Sequence, residues 1–396
     1  MLAKEETSLP SAHLALAEIY LYQGNEAKAQ EINEIALKIN PRSLIGIQIQ
    51  GEALSRSKGK EIAKTFIKHK LQEDSKNILL HQYYTQFLIE NGFEVDAKKE
   101  IEHLIKFPNL TAEELLQFAR LSLQAQWFDL AEKILNRTRL MPDKQDLSHY
   151  FLARLSEMQG KNDVAIEWFR QVLTGPFHVL SQVRASILLS DKKQYDEALK
   201  ILEQTQPNEA ADNKQILFAT IEILNKAKRY NEAMALLNEN LGDMPDNIDL
   251  LYTRSLLANR LDKLDIAEND LKTILTLQPH NLDALNALGF LLADKTKRYN
   301  EAQQYLTTAI NLAPNNASIL DSLGWLYYKM GRYQDSVKAL QKAVEISPDG
   351  EIMAHLGEVL WQIKDFEGAK KVWMKGLEES PKHEKILNAM QRMMAR

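Results

Sequence analysis

The sequence predicts an all-α protein, an α-solenoid of about eleven helical hairpins followed by a C-terminal capping helix. A small residue returns at intervals of 33 to 35 residues along almost the entire chain. The recurring residues are Ala29, Ala63, Ala97, Ala131, Ala165, Ala198, Ala233, Ala267, Ala302, Ser336 and Ala369. A unit of this length accommodates two helices of about a dozen residues and two short turns. A small side chain at a fixed phase indicates that two helices approach closely once in every unit.

The segment from Asn316 to Asp349 shows the unit most clearly. Its first helix, helix A, has an apolar stripe at helical spacing, and Gly324 lies beside that stripe, where a side chain would hold the partner helix away. Gly331 is expected to end helix A in a left-handed conformation, and Pro348 to stop the second helix, helix B. The inner stripes are Leu320, Leu323 and Tyr327 in helix A, and Tyr333, Ser336, Leu340 and Ala343 in helix B.

Eleven copies of the unit cover about residues 10–381, and they suggest three segments. Residues 1–177 form an N-terminal segment of repeats one to five, which are partly degenerate. Residues 178–381 form a C-terminal segment of repeats six to eleven, and residues 382–396 form the capping helix. Gly175–Pro176 interrupts the junction of the two repeat segments, which indicates either a change of superhelical pitch or an ordinary short turn.

The amino terminus is informative in two ways. Pro10 stands where a proline normally closes a preceding helix B, so the chain is expected either to be cut from a longer solenoid or to begin without a cap. The preceding residues contain no basic region followed by an apolar stretch and a cleavage site, so no export signal is visible.

Composition is that of an ordinary soluble protein, with 45% hydrophobic and 26% charged residues. The net charge of -5 argues against nucleic acid as a main partner. No apolar run reaches the roughly 18–20 residues that a membrane span requires. The chain has no cysteine, which excludes disulfides, zinc–thiolate sites and thiol catalysis.

The sequence contains none of the motifs that carry catalysis or cofactor binding. It lacks a glycine-rich dinucleotide or phosphate loop, a zinc-protease helix and a nucleophile elbow. The nine histidines are scattered singly, so no pair at helical spacing supports metal ligation. We therefore expect no enzyme activity, no cofactor and no metal.

The unit resembles the tetratricopeptide repeat, in the apolar stripes, glycines, small residue and closing proline described above. This resemblance implies a right-handed solenoid in which helix A lines a concave groove that binds proteins or peptides. In other members, repeats that clamp the carboxylate end of heat-shock chaperones need an Asn at one position of helix A. No copy in this chain has Asn there, which argues against such a co-chaperone role.

The groove-facing positions that the resemblance assigns are aromatic, acidic or amide residues in the later copies, except for one alanine. Such residues suit an extended or helical peptide, because rings supply contact area and Asn and Asp bond a peptide backbone. Trp325 and Trp361 have an alternative, which is to fold back against adjacent hairpins as peripheral core. The groove candidates are Tyr252, Asp283, Asn286, Phe290, Asp321, Trp325, Tyr328, Ala354, Glu358 and Trp361.

The carboxyl-terminal half resembles bacterial LbcA-type outer-membrane tetratricopeptide lipoproteins. The resemblance is carried by the runs LLYTRSLLANRLDKLDIAENDLKTIL, DALNALGFLLADKTKRYNEA, DSLGWLYYKMGRY and EIMAHLGEVLWQIKDFEGAKKVW, and less sharply by GPFHVLSQVRASILL. It implies a periplasmic, outer-membrane-associated protein that binds a carboxyl-terminal processing protease, promotes its activity and presents substrates such as cell-wall hydrolases. The chain departs from that pattern because it has no lipobox cysteine or signal segment. Together with the phase of Pro10, this leads us to expect that an exported amino-terminal part has been removed, and with it the lipid anchor.

Three functions follow as hypotheses. The first is a non-catalytic adaptor that holds a carboxyl-terminal processing protease and brings protein substrates to it. The second is a scaffold for envelope polysaccharide export or for pilus and secretion assembly, a role that similar repeat proteins also fill. The third is an accessory domain of an enzyme whose catalytic part is not in this chain.

Overall fold

The computed structural model of the chain describes residues 10–141 and 144–394, and over these ranges it has 23 helices and no strand. The all-α prediction is confirmed. The helices are α1 (Pro10–Tyr22), α2 (Glu26–Ile39), α3 (Leu44–Lys58), α4 (Lys60–Glu73), α5 (Ile78–Glu90), α6 (Glu94–Leu104), α7 (Ala112–Gln124), α8 (Phe128–Thr138), α9 (Gln145–Met158), α10 (Asn162–Arg170), α11 (His178–Asp191), α12 (Tyr195–Gln204), α13 (Ala210–Lys226), α14 (Tyr230–Asp243), α15 (Ile248–Arg260), α16 (Leu264–Leu277), α17 (Leu282–Lys295), α18 (Tyr299–Leu312), α19 (Ala317–Lys329), α20 (Tyr333–Ile346), α21 (Gly350–Gln362), α22 (Phe366–Glu379) and α23 (Glu384–Met394).

Successive helices follow the predicted repeat, with eleven A–B pairs from α1–α2 to α21–α22 and α23 after the last pair. Helix α23 packs against α21 and α22, as expected of a capping helix. Residues 395 and 396, the end of the predicted cap, lie outside the described residues.

The chain divides into two compact units, Met1–Ile223 and Leu224–Arg396. The division falls inside α13, whereas the predicted segment boundary at 177/178 falls between α10 and α11; that boundary stays a prediction.

At the α10–α11 junction, the Asp146 carboxylate accepts hydrogen bonds from the Thr174 amide (2.7 Å) and hydroxyl (2.6 Å). The ring of Phe177 stacks on Tyr150 at 4.2 Å. These side-chain contacts therefore stabilise the loop between α10 and α11, which contains Gly175 and Pro176.

The recurring small residue is the fourth residue of helix B in every pair, and all eleven instances are fully buried. Ser336 is the one that is not alanine. Its hydroxyl donates a 2.7 Å hydrogen bond to the carbonyl of Gly324 in α19, so serine satisfies its polar atom at the helix contact. The predicted close approach of helices A and B at this position is confirmed in the α19–α20 hairpin.

Glycines in the A helices leave space for large side chains of the B helices. A Cβ atom on Gly324 would lie 2.5 Å from Cγ of Leu340, and one on Gly357 would lie 2.0 Å from the indole nitrogen of Trp373. Real Cβ contacts are not this short, so any side chain there would push the helices apart. The space that Gly357 leaves is filled by Trp373, which is fully buried.

Turns and caps fix where the A helices begin and end. The side chains of Asn247, Asn281 and Asn316 accept hydrogen bonds from backbone amides in the first turns of α15, α17 and α19. Gly331 has φ +76, as predicted for the end of α19. Lys364 has φ +69 in the corresponding turn after α21, although it has a Cβ atom.

None of the helices within the described ranges combines the length and the apolar character that crossing a membrane requires.

Replacing Ala302 with Leu should lower the free energy of unfolding by about 1–3 kcal/mol, because the added side chain has no space between α17 and α18. Urea unfolding followed by circular dichroism measures this change. Gln304→Leu, at an exposed position of the same helix, is the control and should change stability by less than about 0.5 kcal/mol. Equal effects of the two substitutions would contradict the helix contact.

Replacing Lys364 with Gly should raise the free energy of unfolding by about 1 kcal/mol, because glycine adopts the left-handed conformation without a Cβ clash. The same substitution inside a helix, Lys371→Gly in α22, should lower it by about 1 kcal/mol. Urea unfolding of both variants gives the comparison, and a loss of stability in Lys364→Gly would be inconsistent with the turn geometry.

Candidate functional site

Helices α15, α17, α19 and α21, all of type A, contribute to one face of the second unit, where two clefts adjoin. The first cleft has a volume of about 330 Å³ and the second about 560 Å³. Phe290 and Glu351 line both clefts, so the two clefts meet at these side chains. The regular stacking of hairpins brings these A helices side by side, because α19 packs on α17 and α21 packs on α19.

The first cleft contains four of the predicted groove residues, one or two from each helix. They are Tyr252 from α15, Asn286 and Phe290 from α17, and Asp321 from α19. Tyr252 and Phe290 are half-buried, so their rings are partly open to the cleft. The carboxamide oxygen of Asn286 is buried and has no hydrogen-bond partner in the described part of the chain. Aromatic area and hydrogen-bond acceptors thus lie together.

The second cleft contains Trp325, Ala354 and Glu358 of the predicted set, together with side chains that the sequence did not single out. Two of these, Lys385 and Arg392, come from the capping helix α23 and form ion pairs with α21. Lys385 pairs with Glu351, and Arg392 pairs with Glu358. Helix α23 therefore supplies basic side chains to one wall of this cleft.

Trp325 lies at the centre of a polar and aromatic network between hairpins. Its indole nitrogen donates a 2.9 Å hydrogen bond to Asp294, which also pairs with Lys329 at 3.1 Å. The imidazole of His355 stacks on the indole, with ring centroids 4.3 Å apart. Nδ1 of His355 lies 2.8 Å from an Asp321 carboxylate oxygen. These contacts leave Trp325 only 7% exposed. Its indole ring therefore lines the cleft but is fixed in position by its neighbours.

Charges in this network are matched. Burial disfavours the charged imidazole, but the Asp321 carboxylate outweighs it, and the pKa of His355 is raised above its ordinary value. For Asp294, burial disfavours the carboxylate, yet hydrogen bonds from Trp325 and Lys329 lower its pKa. In the first cleft, burial and then the charge of Asp283 raise the pKa of Tyr252. The Asp321 carboxylate therefore favours the protonated form of the His355 imidazole, which lines the second cleft.

Three predicted groove residues do not line either cleft. Asp283 is exposed in the first turn of α17. Tyr328 is half-buried against Trp325, with centroids 5.1 Å apart. Trp361 is half-buried and packs on Phe366 (4.7 Å) and the core residue Trp373 (5.8 Å), which is the alternative that the sequence left open for it. A role of any groove residue in binding stays a prediction.

The sequence indicated His355 as a packing or groove residue of a helix A, but it did not reveal the pairing of His355 with Asp321, nor Asp294 or the two basic residues of α23. His355 stands 34 residues after Asp321, and Asp294 stands 31 residues before Trp325. A search for complementary polar side chains about one repeat apart would have found both pairs. No set of three or more His, Cys, Asp or Glu side chains suited to a metal ion occurs among the residues that the structure describes.

Comparison with known proteins identifies the repeats. Residues 280–349 and 322–379 each match a family model described as tetratricopeptide repeat, and together they include α17 to α22. A TPR repeat-containing protein of Pseudomonas aeruginosa is 31% identical over 213 residues, which are 54% of this chain and 36% of that protein. The matched region thus spans about a third of the relative's length.

Two similar solved structures are also described as tetratricopeptide repeat proteins. One from Parabacteroides merdae is 18% identical, covers 72% of this chain and 98% of its own, and has a TM-score of 0.48. A thermophilic one from Thermus thermophilus is 21% identical, covers 46% of this chain and 97% of its own, and has a TM-score of 0.41. The names of these three relatives specify repeats and no activity, so the protease-adaptor hypothesis is carried forward as a proposal.

Replacing Asp321 with Asn should lower the pKa of His355, because the amide keeps a hydrogen-bond acceptor and removes the negative charge. NMR titration of the imidazole protons measures the change. His81, whose pKa Glu100 raises in the first unit against the effect of burial, is the internal control and should not move. An unchanged His355 titration in the variant would contradict the ion pair.

The same ion pair should make stability depend on pH. A raised pKa in the folded chain means that the stabilisation is complete below about pH 6.5 and is lost as the pH rises through the raised value. Each tenfold increase in proton affinity corresponds to about 1.4 kcal/mol. Urea unfolding of the native chain and of His355→Asn over this range gives the difference, which should shrink with rising pH; a constant difference would contradict the assignment.

Proposed function

We propose that the chain is a non-catalytic adaptor whose second unit binds a segment of another protein in the two adjoining clefts. The observation that carries the proposal is the meeting of Tyr252, Phe290 and Asn286 with the carboxylates of Asp321 and Glu351 on one face of four A helices. Tetratricopeptide hairpins serve as protein-binding scaffolds, and this face offers both parts of a protein contact, apolar rings and polar acceptors.

A protein segment suits these clefts better than a small ligand does. Each cleft is lined by residues of four helices, and the two adjoin at Phe290 and Glu351, so an occupant that follows both must be extended. Half-buried rings lose little conformational freedom when they are covered. The carboxylates of Asp321 and Glu351 line the first cleft and can accept hydrogen bonds, and a peptide backbone supplies N–H donors at regular intervals.

The finer proposal is that the partner is a bacterial carboxyl-terminal processing protease and that the adaptor acts in the periplasm, associated with the outer membrane. Its support is the resemblance of residues 145–381 to LbcA-type lipoproteins. The mechanism would be effective concentration, since a protease and a substrate held on one chain meet more often than free molecules do. Association with the outer membrane would come from a lipid anchor.

The chain alone should cleave nothing, and it should increase the rate at which a purified carboxyl-terminal processing protease cleaves a cell-wall hydrolase. Cleavage followed by gel electrophoresis, with and without the chain, tests this. Equal cleavage rates with and without the chain would contradict the proposed role as a protease adaptor. Affinity purification from the native envelope tests the alternative. Recovery of polysaccharide-export or secretion components and no protease would favour the scaffold function over the protease adaptor.

The double substitution Tyr252→Ala and Phe290→Ala should weaken partner binding by about tenfold or more, because interface aromatic residues commonly contribute over 1 kcal/mol each. Fluorescence anisotropy with the labelled protease measures the change, and circular dichroism should remain native. Tyr305→Ala, a half-buried tyrosine of helix B, is the matched control. Binding lost equally in the control, or retained in the double variant, would place the partner elsewhere. Trp325→Ala is unsuitable here because removing so buried a ring costs about 3 kcal/mol or more.

A further inference from the structure

The first unit has a separate pair of adjoining clefts around His81. One, the lysine cleft, has a volume of about 380 Å³ and includes Lys68, Gln72, Ser75 and Lys99 in its lining. The other, the apolar cleft, has a volume of about 580 Å³ and includes Ile78, Phe107 and Leu110. Ser75, His81 and His103 line both, so a single ligand can occupy the two clefts together.

His81 holds the junction of these clefts in place. It is 6% exposed, its Nδ1 lies 2.5 Å from the Glu100 carboxylate in α6, and its Nε2 lies 3.1 Å from the carbonyl of Ser75. These contacts tie α5 to α6 and to the turn that precedes α5. The shared wall is therefore a fixed part of the fold and needs no ligand to form it.

Within the described residues, lysine charge without an ion pair lies around the junction, beside carboxylates that already have partners. Every acidic side chain that lines the clefts is already engaged: Asp96 by Lys64 at 2.5 Å, Glu100 by His81, and Glu114 by the amide of Thr111 at 2.7 Å. Three exposed lysines line the clefts as well, and no acidic partner within ion-pair distance occurs for them among the described residues. They are Lys68, Lys76 and Lys99.

Apolar surface lies directly beside this charge. Ile78 and Phe107 are half-buried, and the Phe107 ring meets His103 edge to face at 5.2 Å. Exposed ion pairs alone contribute little in water, and an apolar cleft alone selects no charge. A ligand that gains from both clefts must carry anionic groups next to an apolar group, and in a protein segment these are carboxylates beside an aliphatic or aromatic side chain.

We infer that these clefts bind an acidic, amphipathic segment of a partner protein, with its carboxylates at Lys68 and Lys99 and its apolar side chain beside Phe107. This site is made mainly by α4, α5, α6 and the turns between repeats, all in the first unit, so it is independent of the clefts in the second unit. It gives the first unit a docking function of its own, whether or not the second unit binds the partner proposed above.

The test uses the full chain and a short fluorescein-labelled peptide in which glutamates flank a Leu-Phe pair. Fluorescence anisotropy should report saturable binding that weakens with salt, since the lysines are exposed. Two matched peptides, one with Gln for each Glu and one with Ser for Leu and Phe, should each bind at least about fivefold more weakly. No binding of the glutamate peptide, or equal binding of the glutamine peptide, would overturn the inference.

The variant Lys68→Gln with Lys99→Gln should bind the glutamate peptide at least about fivefold more weakly and keep its helical content, because both side chains are exposed. Lys38→Gln with Lys98→Gln removes the same charge from exposed positions of the same unit that do not line the clefts, and it should bind normally. Equal losses in the two variants would show an unspecific charge effect and overturn the site. Full displacement of the peptide by laurate at equal concentration would overturn it in favour of a fatty-acid site.

Discussion

The structure depends on one steric constraint, the presence of a side chain no larger than serine at the fourth position of every helix B. With that position filled by Ala302 or Ser336, the facing helix A approaches closely enough for Leu306 and Leu340 to occupy the space beside Gly289 and Gly324. Each hairpin can then pack closely against its neighbours, and its burial of apolar surface supplies most of the stability. The placement of helix A, and hence of every cleft on it, follows from that contact.

Polar contacts between hairpins then shape the face that the stacking creates. The pairs Asp294–Trp325 and Asp321–His355 each join one hairpin to the next, and the two are connected where His355 stacks on Trp325. Buried polar groups are costly without partners, so these side chains have few alternatives to the observed arrangement. The clefts therefore have walls that are ordered by the fold, which reduces the entropy lost when a partner binds.

The fold could be predicted because its signal is repeated. The phase of the small residue located helix B, and Gly331 located the end of a helix A. The candidate site was harder to predict, because the positions that face inward along one helix do not reveal which side chains of two neighbouring helices contact each other. Trp325 was identified as a groove residue, but its burial depends on Asp294 and His355 from other hairpins. The clefts around His81 were missed because α4, α6 and the turn at Ser75 form most of their walls, outside any rule for helix A.

Bonds such as His355–Asp321 and Arg392–Glu358 connect residues only 34 positions apart. Since each hairpin within a unit is stabilised mainly by its immediate neighbours, no tertiary contact of this kind demands the closure of a long loop. Loop-closure entropy rises with chain separation, so a nucleus can form at any adjacent pair of hairpins and extend in both directions. A nascent chain can thus acquire native structure progressively as each repeat leaves the ribosome, long before the final residues have been made.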